Sequence, residues 1–249
     1  MIKISNVDYI NTLPYKHAFI NSDFIKKNAV VKGAHPAGCV DELLNHKADI
    51  GLVPVGALDM LKDIKLIQEY GIISQKSVDS VLLLSDVPKE NLKQVYLDYQ
   101  SRSSNGFVRI LSDKLWKLNF EYLVSKKGYE NNIYDKTGGL VIGDRALKLR
   151  NKFNYCYDIA EEWYKLTQKP AVFAIWVANS NVEDEFIMSF KTVLENAVVH
   201  KNEIAEKYAS EYSYFDLKDY LRNKICYRIG KNEIESMNLY KKLLKELSD

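Results

Sequence analysis

The alternation of short apolar runs with amphipathic helical segments is the feature that most constrains the fold of this chain. Strands are predicted at residues 2–7, 29–34 and 49–53, and helical segments follow them at residues 14–20, 40–46 and 56–62. A second series begins near residue 94, with strands at 95–98, 140–143 and 154–159 and helices at 103–118, 144–149 and 161–166. This repeated β-α order requires largely parallel sheets with helices on their faces.

Two further apolar runs, residues 77–84 (SVDSVLLL) and 171–178 (AVFAIWVA), separate these series. If one leads out of a first lobe and the other leads back, the first lobe comprises 1–84 and 180–249, and the second comprises 85–179. A long amphipathic helix over positions 186–208 then packs on the first lobe. We therefore predict an α/β protein with two lobes, mixed and mostly parallel sheets flanked by helices, two crossover strands and a ligand cleft between the lobes. The polar segment 126–137 is expected to be the least ordered.

The near-neutral charge argues against nucleic-acid binding. The chain of 249 residues has 35 Lys and Arg against 33 Asp and Glu, whereas nucleic-acid binders show a strongly basic balance. No run of 18 apolar residues is present, so we expect no membrane contact. The N-terminal sequence lacks the apolar core of a secretory signal, and Cys39, Cys156 and Cys226 are odd in number and far apart. We therefore expect a cytoplasmic protein with reduced thiols.

The sequence contains no motif of a common cofactor or metal site. It has neither the phosphate-binding loop GxxxxGK(S/T) nor the dinucleotide-binding turn GxGxxG, and no GxSxG nucleophile motif. Four histidines are scattered along the chain without the HExxH or HxH spacing of metal ligands. We therefore expect neither an organic cofactor nor a metal ion.

A strand-to-helix turn follows the first predicted strand, at residues 9–14 (YINTLP). Pro14 suits the first turn of a helix, and Asn11 or Thr12 can cap the free N–H groups there. Ligands of open α/β sheets bind at such strand ends. A capped helix that binds nothing is the alternative interpretation of this turn alone.

A second turn of this kind carries more hydrogen-bond donors. Residues 98–105 read DYQSRSSN, and the candidate ligand contacts there are Ser101, Arg102, Ser103, Ser104 and Asn105. Hydroxyl groups, free N–H groups, the helix dipole and a guanidinium together suit a carboxylate or a phosphate. A helix cap with a surface arginine would explain the same residues.

Two more positions are candidates for ligand contact. Gly143 and Asp144 form a third strand-to-helix turn, where a plain cap by Asp144 is favoured over a ligand contact. Ser80 lies in an apolar run, so its hydroxyl either bonds to the main chain or faces the cleft. Because these groups are donors, the expected ligand is a small anion. No His–carboxylate pair is evident, so the chemistry is mild or borrows a group from the substrate.

Seven ordered segments of the chain resemble the chorismate dehydratase family of the futalosine pathway of menaquinone biosynthesis. They are residues 9–14 (YINTLP), 49–55 (DIGLVPV), 80–85 (SVLLLS), 97–104 (LDYQSRSS), 142–147 (IGDRAL), 161–176 (EEWYKLTQKPAVFAIW) and 220–230 (YLRNKICYRIG). The resemblance implies a fold like that of type II periplasmic binding proteins. It also implies a lyase that converts chorismate to 3-[(1-carboxyvinyl)oxy]benzoate and water.

The matching motifs imply roles for individual residues. Asn11 and Ser80 would be catalytic, positioning the departing hydroxyl or a carboxylate. Because the sequence shows no obvious protein base, our hypothesis is that the substrate's own enolpyruvyl carboxylate is the base. The substrate would be bound by residues of the same motifs: Tyr9, Thr12, Pro54, Ser101, Arg102, Ser103, Ser104, Asn105, Gly143 and Asp144. No metal site and no obligatory protein partner is implied.

Two alternatives to a chorismate dehydratase are open. One is 1,4-dihydroxy-6-naphthoate synthase, a sibling enzyme of the same pathway with the same fold. The other is a non-catalytic protein that binds a small anion, for which a signal peptide or lipid-attachment motif would be expected. Conversion of chorismate distinguishes the three.

Overall fold

The computed structural model describes residues 1–247; residues 248 and 249, which end the predicted first lobe, lie outside the described part. The strands are β1 (Ile2–Val7), β2 (Ala29–Ala34), β3 (Ile50–Pro54), β4 (Ile64–Ser74), β5 (Val81–Ser85), β6 (Gln94–Leu97), β7 (Glu121–Val124), β8 (Thr137–Ile142), β9 (Tyr155–Asp158), β10 (Ala171–Asn179) and β11 (Cys226–Arg228). The α-helices are α1 (Leu13–Asn21), α2 (Asp23–Asn28), α3 (Pro36–Leu44), α4 (Arg102–Leu111), α5 (Gly143–Leu149), α6 (Ile159–Thr167), α7 (Asp184–Val199), α8 (Lys201–Tyr208), α9 (Leu217–Asp219) and α10 (Lys231–Glu246).

The strands form two mixed sheets, which confirms the predicted α/β class. The first has the order β11-β4-β10-β3-β1-β2, and the second has the order β7-β6-β8-β5-β9. The parallel pairs join β1 to β2 and β3, and β6 to β7 and β8, as the strand–helix alternation indicates. The antiparallel pairs involve β10 in the first sheet and β5 in the second, together with β11 against β4, and these were not indicated.

The two apolar runs expected to cross between lobes each lie inside one sheet. Residues 81–85 form β5 between β8 and β9, and residues 171–179 form β10 between β3 and β4. The chain crosses between the sheets in the short connections 75–80 and 168–170. An apolar run shows that a strand is buried on both faces but not which sheet buries it. The division into two lobes with the stated boundaries remains a prediction.

The largest differences from the predicted helix bounds occur in three places. Helix α3 begins earlier than residue 40, because Pro36 occupies its first turn and His35 Nδ1 accepts the Gly38 N–H at 3.0 Å. The predicted helix 103–118 ends as α4 at residue 111 and continues as a π-helical turn, which stops at Lys117 with φ 56°. The predicted helix 186–208 is broken at His200 into α7 and α8.

Helix α10 connects the two sheets, because it packs on β10 of the first and on α4 beside the second. The Tyr240 hydroxyl donates to the Ser103 main-chain carbonyl at 3.1 Å, and the Tyr240 ring lies so close to Gly106 that a side chain there would collide with it. Tyr240 is 1% exposed. The C-terminal helix therefore fixes the start of α4 beside the junction of the sheets.

Candidate functional site

A cavity of about 50 Å³ lies at the junction of the two sheets. The ends of β1 and β3, the connection before β5 and the first turns of α4 and α5 form its wall. The structure brings together at this cavity seven of the predicted residues, which are Tyr9, Asn11, Pro54, Ser80, Ser101, Ser104 and Gly143. Residues from three separate strand-to-helix turns therefore meet at one place.

The main chain of Asn11 is fixed by a hydrogen bond, and Asn11 lines the cavity. Its main-chain carbonyl accepts the Tyr227 hydroxyl at 2.8 Å. Its side-chain oxygen is buried and has no hydrogen-bond partner within residues 1–247. A buried amide oxygen without a partner is costly, and at a ligand site it is an acceptor prepared for a donor on the ligand.

Ser80 is held at the cavity by contacts from three elements. The Gly143 N–H donates to the Ser80 main-chain carbonyl at 2.8 Å, and the Tyr220 hydroxyl donates to Ser80 Oγ at 2.8 Å. The preceding residue, Asp79, adopts φ 59°, and its N–H donates to Asp158 Oδ2 at 2.7 Å. The Ser80 hydroxyl therefore has a side-chain partner and also faces the cavity.

The first turn of α4 supplies further donors. Ser101 caps the helix, since its Oγ accepts the Ser104 N–H at 3.1 Å, and it donates its own proton to Ser104 Oγ at 2.7 Å. The Ser104 hydroxyl proton is thereby left for a ligand. Because the N-terminus of a helix carries a partial positive charge, this end of the cavity favours an anion.

Tyr9, Gly143 and Pro54 shape the wall between these donors. The Tyr9 ring lies against Gly143, where a Cβ atom would come within 3.0 Å of the ring carbons. Gly143 adopts φ 62°, which favours glycine. Pro54 ends β3 opposite Ala174 of β10. These residues set the cavity's shape and offer no side-chain charge.

Thr12 and Asp144, both predicted ligand contacts, do not line the cavity. The Thr12 hydroxyl donates a hydrogen bond to the Val7 carbonyl at 2.5 Å, and this bond stabilises the first strand-to-helix turn. Asp144 Oδ1 accepts the Ile10 N–H at 2.9 Å. Burial raises the pKa of the Asp144 carboxyl, and the Ile10 N–H opposes that rise. Asp144 therefore joins the second sheet to the first turn and does not act as a plain cap of α5.

Three predicted residues of α4 also point away from the cavity. Arg102 is at the surface, with 41% of its side chain exposed. Ser103 Oγ donates to the Phe173 carbonyl at 2.8 Å, and Asn105 Nδ2 donates to the Asp98 carbonyl at 3.0 Å. Successive helical residues face different directions, so only Ser101 and Ser104, three positions apart, share the cavity side.

A charged network beside the cavity was not predicted. The Tyr9 hydroxyl donates to Gln100 Oε1 at 2.6 Å, and Arg145 Nη2 donates to the same oxygen and to Asp98 Oδ2, both at 2.7 Å. Arg145 also pairs with Glu130. Burial raises the pKa of the Asp98 carboxyl, and the Arg145 charge opposes this. Arg145 and Asp98 occur in two of the matched motifs, which is the signal that could have indicated them.

A larger surface groove of about 730 Å³ lies between α1, α7 and α8. His17, His200 and Glu203 line it, but none of the predicted site residues does. Throughout residues 1–247, no three His, Cys, Asp or Glu side chains are grouped so that they could hold a metal ion. Within the same range, no helix has the length and apolar character needed to cross a membrane.

Comparison with known proteins identifies the family. The model of a family described as menaquinone biosynthesis matches residues 2–246. The chain belongs to the menaquinone biosynthesis family. Among curated proteins, no relative matches significantly.

Solved structures show the fold of this menaquinone biosynthesis protein. Protein AF1704 from Archaeoglobus fulgidus is 10% identical, with a TM-score of 0.76 over 99% of this chain and 97% of its own. The CA3427 gene product of Candida albicans, described as having the generic periplasmic binding protein fold, is 13% identical, with a TM-score of 0.65 over 100% of this chain and 91% of its own. The alkanesulfonate-binding protein SsuA from Xanthomonas axonopodis pv. citri, bound to MOPS, is 11% identical, with a TM-score of 0.70 over 98% and 92%. The predicted periplasmic-binding-protein-like fold is confirmed.

The cavity wall of this menaquinone biosynthesis protein has little capacity for acid–base chemistry. Of the described residues that line it, none is Asp, Glu, His, Lys, Arg or Cys. Tyr9 has a titratable hydroxyl, but burial, followed by the nearby Asp98 charge, raises its pKa well above the usual range. Tyr9 therefore stays protonated at neutral pH. The wall can orient a ligand and donate hydrogen bonds to it, but it offers no side-chain base.

Proposed function

We propose that this protein is a chorismate dehydratase, a lyase that converts chorismate to 3-[(1-carboxyvinyl)oxy]benzoate and water. Membership of the menaquinone biosynthesis family supports this proposal. The observation that carries it furthest is the cavity wall, which combines hydroxyl and amide donors with the absence of any side-chain base among its described residues. A reaction whose base belongs to the substrate suits such a wall.

The donors match the charge of chorismate, which has two carboxylates. Ser104 and the first turn of α4 would hold one carboxylate through a hydroxyl and the helix dipole. Asn11, whose amide combines a donor and an acceptor, would contact the ring hydroxyl or the other carboxylate. Burying anions without a formal counter-charge requires such preorganised donors.

The proposed reaction is a stepwise elimination. The enolpyruvyl carboxylate takes the proton from the ring carbon that bears the ether, and the electron pair moves through the ring onto the ring carboxylate. The electrons then return, the bond between the ring and its hydroxyl breaks, and the leaving hydroxyl takes the proton held by the enolpyruvyl carboxyl group to become water. Aromatisation drives the second step. The protein holds the reacting groups in position and stabilises the charge on the ring carboxylate.

The lobes must separate to admit this substrate. The cavity measures about 50 Å³, whereas pockets for small molecules typically measure about 300–1,000 Å³. Chorismate, a six-membered ring that carries a carboxylate, a hydroxyl and an enolpyruvyl ether, would therefore fit only after the first turn of α4 and the strand ends of the first sheet move apart. Closure over the substrate would then exclude water and bring Asn11 and Ser80 against it.

We further propose that the protein acts in the cytoplasm, without a cofactor and without an obligatory protein partner. Cys39, Cys156 and Cys226 are free thiols, which supports a reducing compartment. Loss of water with aromatisation needs no oxidant or reductant, and the sequence contains no cofactor motif. Activity that is lost with a chelator and restored by a divalent ion would contradict the cofactor-free proposal.

Incubation of the purified protein with chorismate tests the proposed activity. We expect an aromatic product whose mass is lower than that of chorismate by one water, formed equally with and without a chelator. The sibling naphthoate synthase would leave chorismate untouched, and a binding protein would bind and return it unchanged. Either of those results, with folded protein, would overturn the proposed function.

A further inference from the structure

The hydroxyl of Tyr220, a residue that does not itself line the cavity, is directed at Ser80, which does. Tyr220 is 2% exposed and is the first residue of a π-helical turn, Tyr220–Lys224, a conformation that is frequent at functional sites. Its hydroxyl lies 2.8 Å from Ser80 Oγ. Across the described residues 1–247, this is the only hydrogen bond that the Tyr220 hydroxyl makes.

The direction of this hydrogen bond follows from the burial of Tyr220. If Ser80 were the donor, the Tyr220 proton would point into the dry interior without an acceptor, which is costly. The Tyr220 hydroxyl therefore donates, and Ser80 Oγ accepts. Ser80 keeps its own proton, and the side of Ser80 that remains is the one that lines the cavity.

The main chain of Ser80 is fixed independently of Tyr220. The Gly143 N–H holds the Ser80 carbonyl, and Asp158 holds the N–H groups of Val78 and Asp79 at 2.9 and 2.7 Å. The remaining freedom of Ser80 is the rotation of its side chain and of its hydroxyl proton. The hydrogen bond from the Tyr220 hydroxyl to Ser80 Oγ restricts both rotations, because it occupies one side of the Ser80 oxygen.

We propose that Tyr220 is a positioning residue that fixes the Ser80 hydroxyl as a donor directed into the cavity. The inference rests on the proposed dehydratase function. A departing ring hydroxyl gains negative charge, so a donor held toward it lowers the barrier more than a hydroxyl that can rotate away. Tyr220 acts through Ser80 and does not touch the substrate.

Kinetics of Tyr220→Phe, alone and combined with Ser80→Ala, test this role. We expect Tyr220→Phe to lower kcat about 10-fold, less than the ~100-fold loss typical of removing a preorganised donor itself, with KM nearly unchanged. In the Ser80→Ala background the same change should leave kcat nearly unchanged, because the group that Tyr220 orients is already gone. A purely structural defect would lower kcat equally in both backgrounds.

Tyr15→Phe is the matched control. The Tyr15 hydroxyl is also fully buried, and it donates to the Gly71 carbonyl at 3.0 Å, outside the cavity. Its loss should lower the melting temperature without changing kcat. An unchanged kcat in Tyr220→Phe, or equal losses in both backgrounds, would overturn the positioning role while the dehydratase function stands. A wild-type protein that does not convert chorismate would overturn both.

Discussion

A substitution of Asn11 tests whether the cavity is the substrate site. Asn11→Asp keeps the size of the side chain but replaces an amide with a negative charge beside an anionic substrate. We expect turnover of chorismate to fall by about 100-fold or more, the scale seen when one preorganised donor is lost. Steady-state kinetics with chorismate measure the loss, and a thermal melt tests whether the fold is intact.

Asn181→Asp is the control for this prediction, because it makes the same change of charge at an exposed position. It should leave turnover unchanged. Near-normal turnover in Asn11→Asp, with an unchanged melting temperature, would show that the first turn serves only to start a helix. The site assignment would then be wrong, although the family would still stand.

Arg145 neutralises a carboxyl group that has no access to water. The Asp98 side chain is 0% exposed and lies 2.7 Å from the Arg145 guanidinium. Arg145→Met leaves this carboxylate unpaired, so we expect a loss of about 3 kcal/mol in the free energy of unfolding at neutral pH. Chemical denaturation measures this loss.

The loss in Arg145→Met should depend on pH. Without the arginine, burial raises the pKa of Asp98 above its value in the unfolded chain, so the variant loses stability as pH rises through that folded pKa. The difference in the free energy of unfolding between wild type and variant should therefore increase from pH 4 to pH 8. Adding Asp98→Asn to the variant should reduce this difference at pH 8. A difference in unfolding free energy that does not vary with pH would contradict the role given to the buried Asp98 carboxylate.

At this scale the sequence predicted which turns meet at the cavity but not which of their side chains line it. Asn11, Ser80, Ser101 and Ser104 were predicted because polar residues at strand ends stand out against apolar strands. The direction of Ser103, by contrast, depends on a carbonyl of β10 that lies far away in the sequence. Partners of that kind are fixed by tertiary packing, so local pattern cannot reveal them.

The turn from β8 into α5 carries a prediction at the scale of an element. Gly143→Ala adds a Cβ at φ 62° and within 3.0 Å of the Tyr9 ring. We expect it to reduce stability by about 1–2 kcal/mol through the strained backbone. It should also raise KM for chorismate, because the displaced Tyr9 ring forms part of the cavity wall.

Gly128→Ala separates these two effects. Gly128 also has positive φ, at 89°, but an added Cβ there meets nothing within 4 Å. This variant should lose stability from backbone strain alone and keep normal kinetics. Equal kinetics in the two variants would mean that the Tyr9–Gly143 contact does not shape the site.

Among the elements, the sequence predicted the strand–helix alternation better than the antiparallel pairings. Strand β4 was missed because its first half is mostly half-buried or exposed and only its second half, from Tyr70 to Ser74, is continuously buried. The segment 126–137 was expected to be the least ordered, yet Tyr129 within it is 2% exposed and bonds to Asp98 at 2.9 Å. Its order comes from a long-range contact that its polar composition does not show.

For the whole molecule, the small cavity predicts that binding is gated by lobe separation. If the closed form must open before chorismate enters, the observed rate of binding should level off as chorismate concentration rises. Stopped-flow fluorescence of the intrinsic tryptophans measures this rate. A rate that rises linearly at all concentrations would contradict the prediction, because it would show that chorismate binds without waiting for the cavity of about 50 Å³ to widen.

The position of β10 in the first sheet also affects how the chain folds while it is being synthesised. β10 begins at Ala171 and lies between β3 and β4, so on the ribosome the first sheet waits with a gap until the whole second sheet, Val81 to Asp158, has been synthesised. During that interval β3 presents one unpaired edge, and β4, whose two neighbours β10 and β11 both come later in the chain, presents two. Such edges can pair with other chains. We therefore expect a chain that ends before Ala171 to aggregate, and the unfinished chain to be bound by chaperones during synthesis.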